Sequence, residues 1–86
     1  MNHLDDVFKT QNLSLSAYLL AKGHSFEGFQ IEELQRSGEF VFRKDPKIRE
    51  SISSYSVDDP PVPIRSFLKH LNYLRDVVME KKREMR

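Results

Sequence analysis

Apolar side chains recur at Ile64, Phe67, Leu71, Leu74 and Val78, at steps of 3, 4, 3 and 4. That alternation keeps one apolar seam along one side of a helix, with a period near 3.5 residues. Leu68 widens the seam, and the pattern runs out into Lys81, Lys82, Arg83 and Arg86. The spacing predicts an amphipathic C-terminal helix over residues 64–84. Ahead of it Pro60, Pro61 and Pro63 bar helix and strand alike, so residues 57–63 read as a stiff linker.

Upstream, Leu13, Ala17, Leu20 and Ala21 fit a helical face that Tyr18 and Leu19 extend. Thr10 or Asn12 is the candidate N-cap and Gly23 the stop, which gives a helix over 12–22. Phe29 and Ile31 alternate with polar residues, as do Phe40 and Phe42, around the turn sequence Gln35-Arg36-Ser37-Gly38. This predicts a hairpin over 26–43 with four large apolar groups on one face. The opposite face (Gly28, Gln30, Glu32, Val41 and Arg43) is mostly polar and expected to be wet. Asp45-Pro46 reads as a cap followed by proline at the first helical position, and Ile48, Ile52 and Tyr55 give a short stripe. A helix over 46–56 follows.

Residues 1–9 read as a frayed start in which Val7 and Phe8 are candidates for a short leading strand. The expected fold is a small single α+β domain of order α-β-β-α-α. Helices cover one face of the hairpin, which would not be stable alone.

The string Thr10-x-x-Leu13-x-Leu15-x-Ala17-Tyr18-Leu19-Leu20-x-x-Gly23-His24 resembles the opening of a small domain-of-unknown-function family of bacteria and phages. Phe40-Val41-Phe42 with Asp45, Val62-Pro63, Phe67-Leu68 and Leu74-Arg75-Asp76 resemble the remainder. The resemblance covers nearly the whole chain. It implies one compact domain and carries no activity.

Composition narrows the function classes. The chain has 86 residues, 38% hydrophobic and 31% charged, which is a globular balance. It has no Cys, so disulfides, thiolate zinc sites and thiol catalysis are excluded. The apolar cluster Ala17–Ala21 is far too short to span a bilayer. The first nine residues carry Asp5 and Asp6 and no apolar run, unlike a secretory signal. The cytoplasm is the expected compartment, with no membrane partner.

The three histidines, His3, His24 and His70, have no metal-ligand spacing. His24, after the helix-stopping Gly23, reads as a turn histidine bonded to backbone or water. A functional histidine would need an orienting carboxylate, and the sequence places none beside it. Glu32-Glu33 and Asp58-Asp59 read as solvated loop charges rather than an acid/base pair. No serine lies in a Gly-x-Ser-x-Gly elbow. The expectation is a non-enzymatic protein with no catalytic residues, cofactor, metal or small-molecule substrate.

The net charge of +1 hides an asymmetry. Residues 1–59 carry net −3 and residues 60–86 net +4. Arg43, Lys44, Lys47 and Arg49 form one basic cluster, and Lys81, Lys82, Arg83 and Arg86 another. These are the candidate contacts for an alternative role in nucleic-acid binding, as an accessory protein of a phage or mobile element. The leading expectation is an interaction protein that pairs with a second copy of itself. Phe67, Leu71, Leu74 and Val78 are its expected interface, because a body this small leaves the distal seam uncovered.

Overall fold

The computed structural model describes residues 6–31, 38–56 and 61–84. Their elements run β1 (Val7–Thr10), α1 (Leu13–Ala21), β2 (Phe26–Ile31), β3 (Gly38–Arg43), α2 (Ile48–Ser54) and α3 (Ile64–Glu84). The fold is α+β, as the pattern indicates, and α3 has the bounds read from its seam. The hairpin tip, with Glu32 and Glu33, lies outside the described residues, as do Asp58, Asp59 and Arg86.

Val7 and Phe8, the candidates for a leading strand, belong to β1, which extends to Thr10; residues 1–5 lie outside the described residues. β1 pairs antiparallel with β3, as does β2, and the sheet order is β1-β3-β2. A hairpin alone would leave β3 with one bare edge. β1 fills that edge and places Phe8 opposite Phe42. The end of β3 is gripped from both sides, by Lys44 N–H to Asp6 C=O (2.8 Å) and Arg43 N–H to Ser25 C=O (2.9 Å).

Helix ends follow their local chemistry. Asn12 caps α1 by accepting the Leu15 N–H on its side chain at 3.0 Å. Thr10 supports the cap, its hydroxyl accepting the Asn12 N–H at 3.1 Å. At the other end Gly23 takes φ +91°, Gly23 N–H reaches Leu20 C=O, and His24 N–H reaches Leu19 C=O. This paired return is the Schellman stop that glycine permits. It also fixes the direction in which His24 leaves the helix. α2 is shorter than its stripe suggests. Asp45 and Pro46 form a turn before it, and Tyr55 is already extended with ψ 135°.

The sheet's inner face holds the expected Phe29, Phe40 and Phe42, and also Phe26. The register slips between Phe26 and Gly28, so Glu27 is one residue in excess on β2. Such a bulge re-phases the alternation and returns Phe26 to the inner face. Its ring lies 5.3 Å from that of Phe42. Gly28, at φ +132°, carries the backbone through the bulge. On the outer face Gln30 and Arg43 are exposed as expected, but Val41 is buried at 3%. It sits on the central strand between Lys9 and Gly28, its register partners.

The core joins the three helices to this face. Leu15, Tyr18 and Leu19 of α1 meet Phe40 and Phe42 of the sheet, Ile48 of α2 and Leu74 of α3. α1 is buried along Leu15–Leu19, far beyond a single face, because α2 and α3 pack on it from different sides. The seam expected to hold a dimer packs in large part within the chain. Leu74 is fully buried within the chain, and Phe67, Leu71 and Val78 pack against the same core. α3 packs chiefly on α1 and also on β2, so Leu74 is committed inside the molecule, while Phe67, Leu71 and Val78 are each partly covered.

Candidate functional site

Three surface features place chemistry-bearing side chains together. The first centres on His24. Its Nδ1 lies 2.7 Å from Asp45 Oδ2 and its Nε2 2.7 Å from Ser51 Oγ. A carboxylate only accepts, so Nδ1–H donates to Asp45; in the neutral ring Nε2 then accepts from the Ser51 hydroxyl, and in the charged ring it donates to the Ser51 oxygen. Three local structures aim these groups. The glycine stop after α1 directs His24, the two-sided grip on β3 fixes Asp45, and α2 carries Ser51. The other Asp45 oxygen accepts the Lys47 N–H at 2.8 Å. The hydrogen bond from His24 holds the Asp45 carboxyl below its ordinary value, with the Lys47 N–H in support and partial desolvation in opposition.

Sequence reasoning placed no carboxylate beside His24. Asp45 lies 21 positions away and Ser51 27 positions away, and no motif joins the three. The local signals of Gly23 and Asp45-Pro46 were legible, but their meeting is tertiary.

The order carboxylate–imidazole–hydroxyl is that of an acyl-transfer relay. Its setting differs from a nucleophile's. Ser51 is inside α2, its own N–H bonded to Lys47 C=O at 3.0 Å, and both it and His24 are buried. A shallow cleft of about 290 Å³ passes Ser51, with Lys22, Lys47 and Glu50 on its walls. The arrangement ties three segments together: the turn after α1, the end of β3, and α2.

The second feature is the outer surface of α3. The exposed large hydrophobic side chains of the described residues all belong to it: Ile64 (65%), Leu68 (47%), Tyr73 (50%) and Met79 (60%). Ile64, Leu68 and Met79 are separated by 4 and 11 positions, steps that return to nearly the same side of a helix. Met79 continues into a groove of about 410 Å³ walled by Leu13, Phe29, Phe40 and Val78, with Arg75 and Lys82 at its rim. Gly38 belongs to this groove, and a Cβ there would run into the Phe29 ring. On the other side of α3 a trench of about 600 Å³ separates Tyr73 and the carboxylates that follow it from β2.

The third feature is the pair of basic clusters. Arg43, Lys44, Lys47 and Arg49 are exposed, and Lys44 and Arg49 flank one cleft with Asp45 between them. Arg43 points toward Glu27, with Nε 3.9 Å from Oε1. Lys81, Lys82 and Arg83 occupy the last turn of α3. Lys82 shares its groove with Gly38, the first residue of β3, whereas Arg43 is its last. The clusters therefore lie at opposite ends of a six-residue strand and do not merge into one patch. His70 is not part of any of these features; its Nδ1 bonds Ser66 C=O within α3 at 2.8 Å.

Among the described residues no group of three or more His, Asp or Glu side chains is arranged to hold a metal ion. No helix of the described residues is long and apolar enough to cross a membrane. A family model described as "Domain of unknown function (DUF5659)" matches residues 5–80. No curated protein and no solved structure matches the chain.

Proposed function

The chain belongs to the DUF5659 family, a domain of unknown function, and we propose that it acts by binding rather than by catalysis, pairing with a second copy of itself. One observation carries this reading: the exposed large hydrophobic side chains of the described residues all lie on α3. Ile64 and Leu68 project from its first half, and the apolar groove beside Met79 lies along its second half. A two-fold antiparallel meeting of two α3 helices seats the first half of each on the groove of the other. One surface is then used twice. Each such side chain contributes roughly 1.5–3 kcal/mol if fully covered.

The charges along this surface oppose the pairing. Arg65 and Lys69 flank the apolar side chains, and Arg75 and Lys82 rim the groove. Salt screens such repulsion between exposed groups. Sedimentation equilibrium at micromolar concentration therefore gives twice the chain mass, with a dimer that tightens as salt rises. A monomer at high micromolar concentration and high salt overturns the reading. The catalytic rival is tested separately: a fluorophosphonate probe leaves Ser51 unlabelled, and labelling there would make the His24 cluster a catalytic relay.

The alternative reading, contact with nucleic acid, is favoured by the cleft that Lys44 and Arg49 share. It requires retention on heparin at low salt that falls steeply as salt rises.

A further inference from the structure

β2 is an edge strand, since the sheet order is β1-β3-β2. Every other N–H and C=O of an edge strand points away from its neighbour and remains able to pair. Natural sheets blunt such edges or use them to capture an extended segment. Among the described residues no backbone group pairs with the outer edge of β2.

An open trench lies beside this edge, and it includes the bulge at Glu27–Gly28. Four consecutive β2 residues, Glu27 to Gln30, form one wall. Gly28 and Gln30 belong to one face of the sheet and Phe29 to the other, so the trench opens on the edge itself. The second half of α3 forms the facing wall, from Tyr73 to Glu84. At 1.5 Å per residue that wall is roughly 16 Å long. Tyr73 anchors the near end, its ring packed edge-on against Phe26 at 6.3 Å. Residues of the helix and of the edge strand thus wall one open channel of about 600 Å³.

The lining also selects for charge. Glu27, Asp76, Glu80 and Glu84 supply four carboxylates, against one ammonium, Lys81. Lys81 is turned toward Glu84, with Nζ 4.0 Å from Oε2. Arg43 offsets Glu27 only weakly, since both side chains are largely exposed and 3.9 Å apart. Tyr73, half exposed at the channel's end, offers a ring face to a guanidinium or ammonium.

From these observations we infer that the β2–α3 trench captures an extended, basic polypeptide segment of a partner protein, which adds to the sheet as a fourth strand beside β2. Main-chain hydrogen bonds to β2 supply register. The carboxylates of α3 and Glu27 select lysine and arginine side chains. A nucleic acid is repelled by the same lining. A second copy pairing β2 with β2 about a two-fold axis brings Glu27 and its neighbours against their own like charges, so self-capture at this edge is disfavoured. The trench lies on a different side of α3 from Ile64, Leu68 and Met79, and the inference stands independently of self-association.

The test uses the full chain and a short dye-labelled peptide of alternating lysine and valine, followed by fluorescence anisotropy at physiological ionic strength. A lysine–proline repeat of equal length and charge has no N–H at every second residue, and its rings hold φ at about −65°, away from the extended geometry a ladder needs. The lysine–valine peptide binds, and the lysine–proline peptide binds at least about tenfold more weakly. Asp76→Lys with Glu80→Lys, both at exposed positions, lowers affinity at least about tenfold while the circular dichroism spectrum is unchanged. Amide exchange at residues 27–30 slows when the peptide is bound. Equal binding of the two peptides, unchanged affinity in the charge-reversed variant, or no binding of the lysine–valine peptide overturns the proposal.

Discussion

His24 and Ser51 are 27 positions apart in the chain, and the imidazole Nε2 of one lies 2.7 Å from the hydroxyl oxygen of the other. With the Asp45 bond on the opposite ring nitrogen, one buried imidazole joins α2 to the turn after α1 and to the end of the central strand. Removing the ring strands two polar partners. His24→Ala is therefore expected to lower unfolding free energy by about 1–3 kcal/mol, and Ser51→Ala by about 1 kcal/mol. Urea denaturation of both and of the double variant checks this. The double variant falls short of the sum, since the two share one hydrogen bond.

The same hydrogen bonds predict how the contribution of Asp45 depends on pH. Its carboxyl is held below its ordinary value in the folded chain, first by the His24 hydrogen bond. A depressed carboxyl stabilises the fold above its unfolded value and loses that contribution as pH falls through the folded value. The unfolded value is about 3.9. The stability difference between the native chain and Asp45→Asn is thus expected to shrink as pH falls below about 4. Thermal melts at stepped pH measure it, and a difference that grows on acidification contradicts the assignment.

Two leucines on α3 are expected to respond oppositely to the same substitution. Leu74 is fully buried and Leu68 is 47% exposed. Leu74→Asp places a charge in the core and unfolds the chain. Leu68→Asp leaves the fold intact, within about 0.5 kcal/mol for the isolated protomer, and dissociates the pair. Circular dichroism with sedimentation equilibrium separates the two, and an unfolded Leu68→Asp would mean that folding and assembly are coupled.

Phe42 is at the centre of the inner sheet face, fully buried and opposite both Phe8 and Phe26. Phe42→Ala is expected to cost about 3–5 kcal/mol. Stabilities of 5–15 kcal/mol are typical of native proteins, so a chain this small then melts near or below room temperature. An unchanged melting curve would show the face to be misplaced.

Local chemistry made most of the elements legible. A helix needs only a periodic face, a cap and a stop, and α1 has all three within Thr10–Gly23; α3 needed only its seam. The alternation of β3 was equally plain. The signal failed where local rules compete with long-range ones. The bulge at Glu27–Gly28 breaks the two-residue period, so Phe26 fell out of the inner face on paper. β1 is four residues long and gains its hydrogen bonds from register partners 30 to 36 positions away.

The sequence alone determined the α+β class, the long final helix, the stop at Gly23 and the apolar seam of α3, and it narrowed the cap of α1 to Thr10 or Asn12. These depend on residues within a few positions of one another, where sterics and hydrogen bonding act without knowledge of the rest of the chain. Only the tertiary structure decided what the seam faces. The pattern shows that Phe67, Leu71, Leu74 and Val78 must be covered, but a chain's own core and a second copy satisfy that demand equally. Packing buried Leu74, partly covered Phe67, Leu71 and Val78, and left Ile64, Leu68 and Met79 more exposed. The same holds for His24, whose bonds to Asp45 and Ser51 arise where three segments converge. Hydrophobic burial is non-directional and says only that a side chain is covered; which partners cover it depends on how the whole chain closes.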